Sequence, residues 1–258
     1  MKMQGNTILI TGGGSGIGRG LAEAFHALGN KVIIAGRRQS VLEETTDANP
    51  GMASVTLDLT DAAAIRAFAE EVTELHPGLN VLINNAGIMR FEDLKGAPEK
   101  APADAEAVIA TNLLGPIRLM AAFLPHLQKQ AHAAVINVTS GLGFVPLVVT
   151  PAYCATKAAL HSYTQSLRYL MQGTPVQVIE IIPPYVQTEL NGPAQKTDPR
   201  AMPLEKYIAE TMALLKKSPE AGENCVQEAQ GLRGAEASGK FDAVFKGFND
   251  VMVGSVAR

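Results

Sequence analysis

Thr7-Ile8-Leu9-Ile10-Thr11-Gly12-Gly13-Gly14-Ser15-Gly16-Ile17-Gly18 passes from an apolar run into a glycine-dense turn, and the turn opens a stretch with Ile17, Leu21, Phe25 and Leu28 at helical spacing. Gly29-Asn30 ends that stretch, and a second apolar run follows from Lys31 to Ala35. The succession is strand, tight turn, helix, strand. Glycine lets a backbone turn sharply and approach a ligand, while the free N–H groups and dipole at a helix start favour an anion. The turn therefore reads as a pyrophosphate cradle, with Gly12, Ser15, Gly16, Ile17 and Gly18 as candidate contacts. Its spacing, Gly12-x-x-x-Gly16-x-Gly18, is a variant of G-x-G-x-x-G, because Arg19 stands where Gly14-x-Gly16 would need its third glycine.

The same alternation continues outward. Apolar runs recur at Ala53 to Asp58, Asn80 to Asn84, Ala133 to Thr139 and Val176 to Ile182, Val- and Ile-rich as doubly buried parallel strands are. Right-handed crossovers carry the intervening helices over both faces, which predicts an α/β, doubly wound parallel sheet of six strands in the order 3-2-1-4-5-6. All of residues 1–258 read as a single domain. Pro183, Pro184, Pro193, Pro199 and Pro203 then crowd a stretch too proline-rich for a regular element. Tyr185, Leu190 and Met202 give it something to fold over a ligand, so a substrate lid is expected at about 185–203. Leu204 to Lys217 and Phe241 to Val251 read as helices, and Gly231 to Lys240 as a polar connector.

Composition excludes several classes. With 47% hydrophobic and 18% charged residues in 258, the chain can build a large core. A net charge of −3 supplies no basic field, which argues against nucleic acid or an anionic membrane as partner. No apolar run approaches the ~18 residues of a membrane span, and the first residues lack a signal segment, so a cytoplasmic location is expected. Cys154 and Cys225 form no CxxC pair and the five histidines are scattered, so neither metal nor disulfide is expected. Arg19-Gly20 stand where a P-loop needs Lys-Ser/Thr, and neither Gly13-Gly14-Ser15-Gly16-Ile17 nor Val138-Thr139-Ser140-Gly141-Leu142 is a G-x-S-x-G elbow.

Chemistry enters at Tyr153-Cys154-Ala155-Thr156-Lys157, which opens a helical run. Residues four apart share a helix face, so the Tyr153 phenol and Lys157 ammonium can share a site. An ammonium ~4 Å from a phenol, at an effective dielectric of ~20, favours its ionisation by a gross ~4 kcal/mol before desolvation opposes it. Upstream, Pro116 cannot give the N–H that would satisfy the Asn112 carbonyl, which frees an acceptor there.

Taken together, Thr11-Gly12-x-x-x-Gly16-x-Gly18, Asp58, Asn84-Asn85-Ala86-Gly87, Asn112, Ser140, Tyr153-x-x-x-Lys157 and Pro183 to Thr188 resemble the short-chain dehydrogenase/reductase family, from Thr7 to about Leu190. The resemblance implies a Rossmann-like enzyme that moves a hydride between a nicotinamide and a carbonyl or secondary alcohol. It implies that Tyr153 transfers the proton, that Lys157 lowers its pKa and holds the nicotinamide ribose, and that Ser140 hydrogen-bonds the substrate oxygen. Asn112 would hold a water linking Lys157 to solvent. Asp58, with Leu59 beside it, would face the adenine; Asn85, Ala86 and Gly87 would line the adenosine half, and Pro183, Val186 and Thr188 would lie near the nicotinamide. It also implies a homodimer or homotetramer.

Two departures stand out. Pro184 replaces the family's usual glycine after the sixth strand, and the customary glycine-rich last strand is not visible in Phe241 to Arg258. This ending and Pro-Pro-x-Val-x-Thr resemble bacterial members associated with cell-wall D-alanylation genes, a likeness that names no substrate. A catalytically idle nucleotide-binding sensor or partner-binding module is the alternative, opposed by the intact Asn112, Ser140, Tyr153 and Lys157. A sugar-nucleotide epimerase would carry a longer domain after the sixth strand.

Cofactor choice depends on the tip of the second strand. NAD sites place an acid there for the ribose 2′-hydroxyl, whereas this chain has Ala35-Gly36-Arg37-Arg38. Permanently charged, planar guanidinium groups at Arg37 and Arg38 suit a 2′-phosphate, so NADP(H) is favoured over NAD(H). Met89, Leu142, Phe144, Val145, Leu147 and Tyr185 are candidate linings for a mainly apolar small-molecule substrate.

Overall fold

The computed structural model describes residues 1–253. Its strands are β1 (Thr7–Thr11), β2 (Lys31–Gly36), β3 (Ala53–Thr56), β4 (Leu79–Asn84), β5 (Ala133–Val138), β6 (Val176–Ile182) and β7 (Glu223–Cys225). They form one all-parallel sheet in the order β3-β2-β1-β4-β5-β6-β7. Helices α1 (Gly16–Ala27), α2 (Gln39–Ala48), α3 (Ala62–Leu75), α4 (Ala101–Ile109), α5 (Gly115–Leu127), α6 (Pro151–Leu170), α7 (Leu204–Lys217), α8 (Gln230–Arg233) and α9 (Phe241–Val253) complete the fold.

Strand alternation sends successive side chains to opposite faces. Ile8, Ile10, Val32, Ile34, Val81 and Ile83 meet Leu21 and Phe25 of α1 and Tyr207 and Leu215 of α7 on one side. Leu9, Ile33, Leu82, Val135 and Val178 meet Phe68 of α3, Leu119 and Phe123 of α5 and Leu160 of α6 on the other. Phe25 and Phe123 are fully buried, and burying each such side chain contributes roughly 1.5–3 kcal/mol. The Asp61 carboxylate caps α3 by accepting from the Ala63 and Ala64 N–H groups.

The sheet has seven strands where the sequence reading expects six. Glu223-Asn224-Cys225 is too short and too polar to register as an apolar run, yet it pairs with Glu180, Ile181 and Ile182 along the open edge of β6. Asn224 ties it to α7 by donating to the Thr211 carbonyl at 3.0 Å. The expected polar connector begins as α8, and α9 covers the expected final helix; residues 254–258 of the expected ending lie outside the described residues.

Pro98–Leu127 runs as one continuous helix, long and apolar enough by length and composition to cross a membrane, although charged residues break every apolar run within it. Leu119, Met120, Phe123 and Leu127 along it are buried in the core. Between α4 and α5 it widens into a π-turn at Ala110–Leu114, where the Gly115 N–H reaches back to the Ala110 carbonyl. Pro116 is the cause: lacking an N–H, it cannot continue the ordinary ladder to Asn112.

Candidate active site

The glycine turn takes the shape its sequence requires. Gly12 and Gly16 have φ of 67° and 51°, conformations that L side chains resist. At Gly18 a Cβ would stand 2.2 Å from the Gly12 carbonyl oxygen and 2.3 Å from Asn85 Nδ2, so any side chain there would break the turn. Ser15 takes the N-cap position of α1 with extended backbone, but its side chain makes no capping bond and the first turn carries no acid. The helix start is therefore free to bind an anion.

Thr11 joins this turn to the end of β4. Its hydroxyl donates to the Ile83 carbonyl at 3.4 Å and accepts from the Asn85 and Ala86 N–H groups at 3.1 Å, while the Asn85 side chain donates to the Thr11 carbonyl at 2.9 Å. Beyond them, Gly87 lies close to Asn112 Oδ1 and Lys157 Nζ; a Cβ there would be 3.3 and 3.9 Å away.

At the tip of β2, Arg37 and Arg38 are exposed. Across from them, Asp58 accepts from the Thr60 N–H and hydroxyl at 2.9 and 2.8 Å. These bonds, with a further contribution from Arg37, hold its carboxyl below the usual range. Leu59 is buried against Gly115.

At the β5 end, Ser140, Tyr153 and Lys157 converge and are 7%, 6% and 4% exposed, sheltered yet not sealed. The Ser140 hydroxyl accepts from the Leu142 N–H at 3.1 Å and stands beside the Tyr153 phenol, where it favours the ionised form. Lys157 Nζ donates to the Val138 carbonyl at 2.8 Å and lies over the Tyr153 ring, 5.6 Å from its centroid. Asn112 clamps the far side: its Oδ1 accepts from the Ile88 N–H, and its Nδ2 donates to the Ile88 carbonyl and to Thr156 Oγ1.

The electrostatics differ from the simple two-charge estimate. Burial pushes the Tyr153 phenol up, with the Ser140 hydroxyl opposing, and pushes Lys157 down to about 8, with Glu180 opposing. Desolvation is the largest cause for both groups, and it favours the neutral form of each. At neutral pH the phenol of the free chain is protonated, as a proton donor to a carbonyl must be.

After β6 the Gly141 N–H bonds the Pro183 carbonyl, and the chain crosses toward the glycine turn, where the Thr188 side chain comes within 3.3 Å of a Cβ built on Gly16. Val186 is buried and bridges Met202, and buried Gln195 donates to the Val186 carbonyl and to Thr188 Oγ1. Met89, Leu147 and Tyr153 share an apolar cluster that Leu142 and, from α9, Phe248 and Met252 pack against. Phe144 turns away to His161, Val145 is fully buried, and Tyr185 hydrogen-bonds Asp198. Four residues escape the sequence reading: Thr11 as a weld, Thr156, and the pair of half-buried His161 with buried Glu180, 2.8 Å apart. The lone carboxylate inside Val176–Ile182 is the signal that could have found the last.

The short chain dehydrogenase family model matches residues 6–199. The uncharacterized oxidoreductase DltE of Bacillus subtilis (strain 168) is 41% identical, covering 96% of this chain and 98% of that protein. The NADP-dependent 3-hydroxy acid dehydrogenase of Schizosaccharomyces pombe is 33% identical, covering 76% of this chain and 80% of that protein. A short chain dehydrogenase from Burkholderia cenocepacia J2315, crystallised with NADP, superposes with a TM-score of 0.81 at 27% identity, covering 95% of this chain and 98% of that one. On these grounds the chain belongs to the short chain dehydrogenase family and is an oxidoreductase of the nicotinamide-dependent kind.

Proposed function

We propose that this protein interconverts a carbonyl and a secondary alcohol of a small, mainly apolar substrate with NADP(H). The observation that carries the reading is the convergence of Ser140, Tyr153 and Lys157 at the β5 end, beside an uncapped helix start. The glycine turn and the free N–H groups of α1 fit a pyrophosphate, and Asp58, Leu59, Asn85, Ala86 and Gly87 line the adenosine side. Pro183, Val186 and Thr188 lie toward the nicotinamide, which when bound supplies or accepts the hydride. In reduction, Ser140 hydrogen-bonds the substrate oxygen and Tyr153 gives it a proton. Lys157 stabilises the resulting phenolate and holds the ribose. The Asn112 side chain is taken up by Ile88 and Thr156, so its role in returning a proton to Lys157 falls to its backbone carbonyl and a water.

Arg37 and Arg38 support NADP over NAD, as do the NADP named for the Burkholderia structure and the NADP-dependence named for the yeast relative. A charge-assisted bond contributes ~1.5–3 kcal/mol, so Arg37→Ala is expected to weaken NADPH about ten- to a hundredfold and leave NADH nearly untouched. Titrating both cofactors into both proteins tests this; tighter NADH than NADPH binding by the unmodified protein rejects it.

The segment at 185–203 acts as a lid in this reading, since it reaches from the nicotinamide side to Gly16. Limited proteolysis should cut it in the free protein and spare it with NADPH and substrate bound. Equal cutting with and without ligands rules the closure out.

We assign a homodimer or homotetramer, for which exposed Ile109 and Leu114 beside the π-turn and Tyr169 and Leu170 at the end of α6 supply apolar surface. Sedimentation equilibrium is expected to give two or four chains, and a monomer at assay concentrations refutes it.

A further inference from the structure

Glu180 sits at the centre of an otherwise apolar stretch of β6 and is fully buried. A buried carboxylate is costly unless its oxygens are satisfied. Here Thr139 Oγ1 donates to Oε1 at 2.6 Å and His161 Nδ1 donates to Oε2 at 2.8 Å. Both partners adjoin the catalytic groups. Thr139 lies between Val138, whose carbonyl receives Lys157 Nζ, and Ser140, whose hydroxyl stands beside the Tyr153 phenol. His161 stands one helical turn beyond Lys157 on α6, as Lys157 stands one turn beyond Tyr153.

The charged and titratable groups around this carboxylate come from three further elements. Lys157, His161 and Arg168 belong to α6, Glu223 and Cys225 to β7, and Arg233 to α8. Glu223 is engaged by Arg233 through two bonds of 2.9 and 3.0 Å, and Arg233 also lies over the Phe144 ring that packs edge-on against His161. Ligand atoms of His161, Glu180 and Glu223 lie within 4.8 Å of one another, and the chain itself supplies each carboxylate with partners, Thr139 and His161 for Glu180 and Arg233 for Glu223, which joins the three groups in a hydrogen-bonded clasp. Glu180 is left as the carboxylate whose field acts on Lys157.

We propose that Glu180 is a positioning residue: held by Thr139 and His161, it fixes the β5 end against α6 and supplies the negative charge that keeps Lys157 an ammonium. The proposal rests on the reading of Ser140, Tyr153 and Lys157 as the active site. Burial alone drives Lys157 toward the neutral amine, and Glu180 opposes it.

Glu180→Gln preserves shape and deletes the charge: its Oε1 still accepts from Thr139, and its Nε2 donates to His161 Nδ1 once the ring takes its other tautomer. In protein labelled at lysine 13Cε, NMR follows the Lys157 titration without cofactor or substrate, the signal being assigned by its loss in Lys157→Met. The Gln variant is expected to titrate about one pH unit lower, because removing a nearby negative charge makes the proton easier to lose. A merely structural role leaves that midpoint in place, and an unchanged midpoint in a folded variant overturns the proposal. Should the variant not fold, the Glu180 13Cδ signal of the unmodified protein decides. A carboxylate ionised throughout the Lys157 titration supports the proposal, whereas a protonated one beside a charged Lys157 overturns it. Neither readout needs turnover, so a failed search for carbonyl reduction would count against the enzyme reading and leave this one standing.

Discussion

Turnover falls by at least ~10² in Tyr153→Phe, while NADPH still binds, because the substitution keeps the ring and removes the one proton placed to be transferred. The ring packs with Met89, Leu147 and Cys154, so its retention preserves the apolar wall. The hydroxyl is the group beside Ser140, and no other phenol stands in this cluster among the described residues. Stopped-flow reduction of a carbonyl identified by screening, with cofactor affinity measured in parallel, checks the outcome. Near-normal turnover by the Phe variant would remove Tyr153 from the acid/base role.

Lys157→Met loses activity for two reasons whose signatures separate. One is a ribose contact, seen as weaker binding of both NADPH and NADH. The other is electrostatic. A cation stabilises a phenolate, so deleting it raises the phenol's pKa. Alcohol oxidation needs the deprotonated phenol, and the rising limb of its pH profile therefore moves to higher pH in the variant. Burial already pushes that phenol up, which leaves the loss of the cation little to offset it. A profile that stays in place, with activity intact, would show that Lys157 does not set the phenol's ionisation.

Much of this was legible in the sequence. Thr7–Thr11, Val176–Ile182 and Leu204–Lys217 have the boundaries that periodicity predicts, since each is a clean apolar run or a clean amphipathic stretch. The seventh strand was not, because Glu223–Cys225 is shaped by the edge of β6 rather than by its own side chains. The proline argument at Asn112 located a disturbance in the helix but not its form, a π-turn rather than a simple kink. The position of Nζ over the Tyr153 ring was equally hidden, for helical spacing gives a shared face and says nothing of where a long side chain ends. The lone acid in β6 marks one member of the Glu180 cluster, while its partners lie far off in sequence, where no local pattern announces them.

The hydroxyl of Thr11 also has a mechanical meaning. By bonding the Ile83 carbonyl and the Asn85 and Ala86 N–H groups, it makes the tips of β1 and β4 one stiff jaw. A molecule held between them cannot be gripped by opening or shutting the sheet there. On the lid reading proposed above, the embrace would come from the opposing segment after β6, which the Gln195 amide and the Val186–Met202 bridge help to anchor, and its grip and release would leave that jaw undisturbed.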